Sequence, residues 1–216
     1  MMLKKNKSYI ILTGIITLLP MILGFLLWNQ LPETMATHFG IDGEANGWSS
    51  RIFAVFGLPL FLLAVHFLCA VVTTFDPRRR NISEKMFHLI LWICPACSLF
   101  CGVGIYAHAL GLNLNLAMIA ELFVGLLFII IGNYLPKCRQ NYTIGIRLPW
   151  TLADEENWNR THRLAGFIWV PCGIIFIINT FLQIATAYVF FILLGVMVLV
   201  PAIYSFVYYQ KHKKNE

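Results

Sequence analysis

Six stretches of this chain run for about 20 residues with almost no charge, the length a helix rising about 1.5 Å per residue needs to cross the apolar core of a bilayer. They lie near Tyr9 to Trp28, Ile52 to Phe75, Phe87 to Leu110, Leu116 to Leu135, Leu164 to Leu182 and Thr186 to Tyr208. No charge cluster cuts any of them. Composition agrees, with 59% hydrophobic and only 12% charged residues, the latter about half the share of a soluble domain. A cytosolic globular enzyme, a disordered tail and a nucleic-acid-binding domain are thereby excluded. The fold class read from this pattern is an all-α integral membrane protein with six transmembrane helices, both termini inside, and a short interfacial helix between helices four and five.

The runs leave little chain for a separate soluble domain, and no internal repeat emerges. Residues 1–216 read as a single membrane domain in three segments. The first helix pair with its outer loop 29–51 occupies 1–75, helices three and four with the inner loop 136–163 occupy 76–163, and the last helix pair with a basic tail occupies 164–216. Lys4, Lys5 and Lys7 before the first run raise the possibility of a cleaved leader. Its apolar stretch is longer than a typical leader's, and Leu31-Pro32-Glu33 is no small-residue cleavage site, so it reads as a retained helix.

Orientation follows from the cations, because Lys and Arg resist translocation. With the N-terminus inside, the inner face collects Lys4, Lys5, Lys7, Arg78, Arg79, Arg80, Lys85, Lys137, Arg139, Arg147, Arg160, Arg163, Lys211, Lys213 and Lys214, and only Arg51 is left outside. The net charge of +6 is then explained by attraction to anionic lipid at helix ends, and no nucleic acid is expected as a partner.

Two connections are longer than simple linkers. The outer one, Asn29 to Arg51, carries Gly40, Gly43 and Gly47, which permit turns, Pro32, which fixes an extended entry, and Trp48, which suits the membrane interface. It reads as a compact ordered loop with a small negative excess from Glu33, Asp42 and Glu44. His38, Asp42 and Glu44 could bind a metal or simply make loop hydrogen bonds. Their spacing fits no ligand pattern, so no metal is assigned.

The inner connection, Pro136 to Arg163, offers Thr151 as a capping residue whose hydroxyl can accept the Asp154 amide, so a short helix is expected to begin there. Asp154, Glu155 and Glu156 suit its first turns, Glu156 can pair with Arg160, and Trp150 and Trp158 are read as interfacial anchors. Gly145 allows a turn, and Pro149 pushes Leu148 towards an extended conformation. These features predict a folded inner platform, with an interfacial hinge of solvated charges as the alternative.

Asn141-Tyr142-Thr143-Ile144-Gly145-Ile146-Arg147-Leu148-Pro149-Trp150-Thr151-Leu152, followed by Glu156, Trp158 and His162, resembles the signature of the SdpI family of bacterial membrane immunity proteins. Leu31-Pro32, His38-Phe39, Gly43 and Gly47-Trp48 are similar to the N-terminal pattern of many members. Leu148 departs from it, standing where Arg-Thr-Pro is common. The resemblance implies a multi-pass plasma-membrane protein without enzymatic chemistry, protecting its producer against a secreted antimicrobial peptide and holding a cytoplasmic autorepressor at the membrane. The inner signature residues would then meet the repressor or gate its access, and the outer ones would meet the peptide.

Two other classes stay open. The ionisable groups His66, His108 and Glu121 lie within or at the ends of apolar runs, where charge is costly, and such groups can mark a solute or proton path. His108 and Glu121, flanking a short link, could pair. Cys94-Pro95-Ala96-Cys97 places two thiols one helical turn apart, a spacing compatible with redox or soft-metal chemistry, although a proline kink with small polarisable neighbours explains it as well. Cys101 lies another turn on, and Cys69, Cys138 and Cys172 are scattered. No catalytic residue and no cofactor is assigned.

Overall fold

A computed structural model of the protein describes residues 2–40 and 43–213, so Asp42 and Lys214 lie outside the described residues. Six helices are long and apolar enough to cross a membrane: Lys7–Leu26, Phe53–Thr74, Glu84–Ala109, Leu116–Lys137, Glu155–Leu182 and Thr186–His212. They are called the first to sixth spans below. Helix is the form a single segment can take in lipid, because it pairs its own N–H and C=O groups where no water can. Large apolar side chains such as Leu26, Phe75 and Phe167 stand more than 70% exposed, which suits a surface solvated by acyl chains.

Residues 1–75 and 84–117 form one compact unit. Its first span breaks at Leu18, between helical segments Lys7–Thr17 and Leu19–Leu26. Pro20 is the cause: it has no N–H for the carbonyl of Ile16, and its ring crowds that position. The break is well packed, since the Tyr106 hydroxyl donates to the Pro20 carbonyl at 2.9 Å and Gly102 leaves room for the proline ring. Pro59 acts similarly at the start of the second span, where a π-helical turn, Phe53–Gly57, precedes the regular helix Leu58–Thr74.

The first connection is more regular than the glycines suggest. It folds as an antiparallel hairpin of β1, Thr34–Phe39, and β2, Ala45–Ser50, with register shifts on either side of His38. Met35 drops from β1 into a core with Leu31, Ala54, Val55, Ile105 and Tyr106. Arg51 locks the base, donating to the carbonyls of Trp28 and Leu31 at 2.8 Å each while its guanidinium lies 4.3 Å over the Trp28 ring. A cation so placed satisfies the carbonyls that trail from the end of a helix.

Residues 76–83 and 118–216 form the second unit. The fourth and fifth spans meet along glycines spaced two helical turns apart on each: a Cβ on Gly125 would fall 3.2 Å from the Gly173 carbonyl, and one on Gly132 would fall 2.9 Å from the Val170 amide. Without a water-driven hydrophobic force between helices, such close backbone approach supplies the packing energy.

The short helix of the fourth connection is Pro149–Ala153, earlier than the start expected at Thr151. The chain then breaks at Asp154, whose Oδ1 accepts from the amides of Glu156 at 2.8 Å and Asn157 at 3.2 Å and so caps the 28-residue helix Glu155–Leu182. The polar stretch 155–163 is therefore the first turns of the fifth span itself and not a separate helix lying along the membrane. Glu156 and Arg160 do pair, at 2.7 Å.

Candidate functional site

The fourth connection is held by buried polar groups to a degree its length does not require. Asn141, 1% exposed, closes a turn by accepting the amides of Thr143 at 2.9 Å and Ile144 at 2.7 Å on Oδ1, while its Nδ2 donates to the Arg139 carbonyl at 2.8 Å. Local Asn bonding of this kind substitutes for secondary structure where the backbone must turn. The next turn needs Gly145 at φ +107°, and any Cβ there would fall 2.3 Å from Nε2 of His162.

His162 itself is buried and its hydrogen bonds define its state. Nε2 accepts the Ile146 amide at 2.9 Å, so Nδ1 carries the proton and donates to the Trp158 carbonyl at 2.8 Å. A neutral imidazole is the form these two bonds require. Trp158 stacks on it at 4.1 Å and donates its indole N–H to the Cys138 carbonyl at 2.7 Å. Fully buried, Trp158 is a core residue and not the interfacial anchor its type suggests. The cost of burying indole is offset here because its one donor is satisfied. Burial also pushes the neighbouring Cys138 thiol up to about 11.

Thr151 likewise has a different task from the expected cap on Asp154. Its hydroxyl accepts the Leu148 amide at 2.9 Å and faces the Ile146 carbonyl at 2.8 Å, fastening the extended Leu148 to the short helix behind Pro149. Trp150, half-buried, donates to the Ser205 hydroxyl at 2.8 Å, and buried Asn157 donates to the Ser205 carbonyl at 3.0 Å, tying this region to the sixth span.

A residue that sequence reasoning missed completes the lobe. Asp76, 3% exposed, follows the second span, and its carboxylate accepts the Tyr142 amide at 2.8 Å, the Thr143 hydroxyl at 2.5 Å and the Arg78 amide at 2.6 Å. Gln140 extends the net: Nε2 donates to the carbonyls of Thr151 and Leu152, Oε1 takes Arg78 Nη1, and its carbonyl accepts Asn81 Nδ2 at 2.7 Å. The signal available beforehand was a lone acid, Asp76, at the head of Arg78-Arg79-Arg80. Thus Asn141, Gly145, Thr151, Trp158 and His162 converge in the interior of one lobe, while Arg147, Pro149 and Glu156 are exposed on it. Arg147 is oriented by a bond to the Tyr142 carbonyl at 2.7 Å.

In the first connection the hairpin exposes Pro32, His38 and Trp48, the last at 59%. Nδ1 of His38 bonds Asn46 Oδ1 at 2.5 Å, Thr37 meets Ser49 across the strands at 2.9 Å, and a Cβ on Gly47 would fall 2.9 Å from that of His38. Gly43 turns the chain at φ +81°, and Phe39 packs edge-on against His108 at the end of the third span, 5.1 Å between centroids. Among the described residues no three metal-ligating side chains come together.

Within the spans, His66 is fully buried, with Nε2 at 3.2 Å from the Thr13 hydroxyl and 3.3 Å from the Ile10 carbonyl, and Nδ1 without a hydrogen-bond partner among the described residues. Buried Glu121 has an unpartnered Oε2 on the same terms. All six cysteines are free thiols.

Residues 137–205, which include most of this lobe, match the model of the SdpI/YfhL protein family, and residues 15–63 match that of a domain of unknown function, DUF1648. The chain is 27% identical over 217 residues to the Immunity protein SdpI of Bacillus subtilis (strain 168), an alignment covering 98% of each chain. No solved structure matches.

Proposed function

We propose, from its likeness to the SdpI/YfhL family model over residues 137–205 and to an immunity protein over nearly its whole length, that this multi-pass bacterial membrane protein is an immunity protein that works by binding and not by turnover. The observation that carries this reading is the likeness to an immunity protein over 98% of both chains, because it takes in both folded connections as well as the spans. The first connection, with its hairpin 34–50, is the surface that meets a secreted antimicrobial peptide, through exposed Pro32, His38 and Trp48. The lobe faces the cytoplasm with both termini and recruits a repressor protein through exposed Arg147 and Glu156. A peptide bound at one face signals to the other by favouring one of two arrangements of the spans, which requires that it bind those arrangements unequally.

A killing assay tests the reading. A sensitive bacterium expressing the chain is expected to survive secreted peptide toxins at doses that kill the empty-vector host, and equal killing would refute the immunity function. Arg147→Ala with Glu156→Ala probes the lobe without dismantling it. Both groups are exposed, so stability should move by no more than about 0.5 kcal/mol, while membrane recruitment of the repressor should be lost. Trp158 and His162 are unsuitable for this purpose, since their removal would unfold the lobe.

Transport is the second reading, and the unpartnered buried oxygen of Glu121 is the observation that favours it. Proton-coupled solute uptake into liposomes that disappears with Glu121→Gln would shift the assignment to that class.

A further inference from the structure

Where the fourth span ends and the fifth enters the membrane, a groove of about 640 Å³ opens on the second unit. Lys137 and Arg163 stand at one end, and Pro136, Gly166, Phe167 and Val170 line it from there into the apolar part of the spans. No carboxylate is among its lining residues. Arg163 is exposed and has neither a hydrogen bond nor an ion pair among the described residues, and Lys137 meets only uncharged groups, Asn133 Oδ1 at 3.3 Å and the Tyr134 ring at 5.1 Å. The neighbouring groove of about 480 Å³ also contains Arg163, but there Arg160 is neutralised by Glu156 at 2.7 Å. Positive charge without a counterion is therefore concentrated at the Lys137 end.

The apolar lining continues past the groove. Phe167, Ile174 and Ile178 lie seven and four residues apart, a spacing that keeps them on one helix face, and are 74%, 45% and 52% exposed. Two cations at the end of an apolar track of this kind match a molecule with an anionic head and a hydrocarbon tail. A free phosphate would leave the track uncovered, and an acidic peptide would have to enter the apolar region of the bilayer.

We propose that this groove binds an anionic phospholipid, its phosphate between Lys137 and Arg163 and one acyl chain along Phe167, Val170 and Ile174. The site does not depend on the immunity reading, since it requires only that the spans cross a membrane. Native mass spectrometry of the detergent-purified full chain, titrated with phosphatidylglycerol or phosphatidylcholine, tests it. Phosphatidylglycerol should be retained in preference to phosphatidylcholine, and Lys137→Gln with Arg163→Gln should weaken its retention by about tenfold or more, given the contribution of each basic residue near anionic lipid. Arg79→Gln with Arg80→Gln, an equal loss of charge on exposed residues outside the groove, should weaken retention clearly less. Equal retention of the two lipids, an equal effect of both double variants, or displacement of phosphatidylglycerol by inorganic phosphate at matched concentration would overturn the assignment.

Discussion

Gly145→Ala should destabilise the protein by about 3 kcal/mol or more, because two independent costs fall on one methyl group. The residue sits at φ +107°, where an L side chain is strained. The added Cβ would also lie 2.3 Å from Nε2 of His162 and 3.1 Å from the Trp158 ring, both buried in the lobe. To relieve the contact, the imidazole must move off the half-buried Ile146 amide, leaving that donor unpaired. The expected reading is an early melting transition in mild detergent. Gly111, also at positive φ (+71°) but with nothing within 4 Å of its added Cβ, isolates the second cost: Gly111→Ala should lose only the conformational part. Equal melting of the two variants would mean that the His162 contact carries no weight.

Asp76→Ala should rank close behind. Three donors converge on this buried carboxylate, two of them backbone amides that cannot turn elsewhere, and leaving such partly buried donors unpaired costs about 1 kcal/mol or more each. Asp76→Asn should fall between wild type and alanine. An amide keeps one acceptor oxygen, and the Thr143 hydroxyl can reverse to accept from its NH2, but the Tyr142 amide then faces a donor. Melting curves of the three proteins check the order. An asparagine variant as stable as wild type would show that the site needs polarity alone and not two acceptors.

These two residues also mark what was legible in the sequence. Six apolar runs and their order could be read directly, because lipid leaves one form open to an isolated segment and that form has a fixed length. Gly145 and Pro149 could be read because each sets the local backbone, the glycine by permitting a positive φ and the proline by restricting the residue before it. Trp158 could not: an indole near a span end suits an interface equally well, and only the carbonyl of Cys138, twenty residues away, decides for the core. Asp76 lay in a different connection from the Tyr142 amide and the Thr143 hydroxyl that it satisfies, a pairing that no local rule detects. The hairpin was hidden for a related reason. Its strands are short, the second contains a glycine, and what holds them is Met35 in a core built from distant residues.

The proposed division of labour between hairpin and lobe requires that they lie on opposite faces of the membrane, which labelling in intact cells tests directly. Trp48→Cys and Arg147→Cys place a thiol on an exposed position of each. The native cysteine nearest Arg147 in the lobe is buried Cys138, whose thiol at about 11 leaves roughly one part in ten thousand as reactive thiolate at pH 7. A membrane-impermeant maleimide should modify Trp48→Cys in intact cells and Arg147→Cys only after permeabilisation. Modification of Arg147→Cys from the medium, with Trp48→Cys protected, would contradict the account.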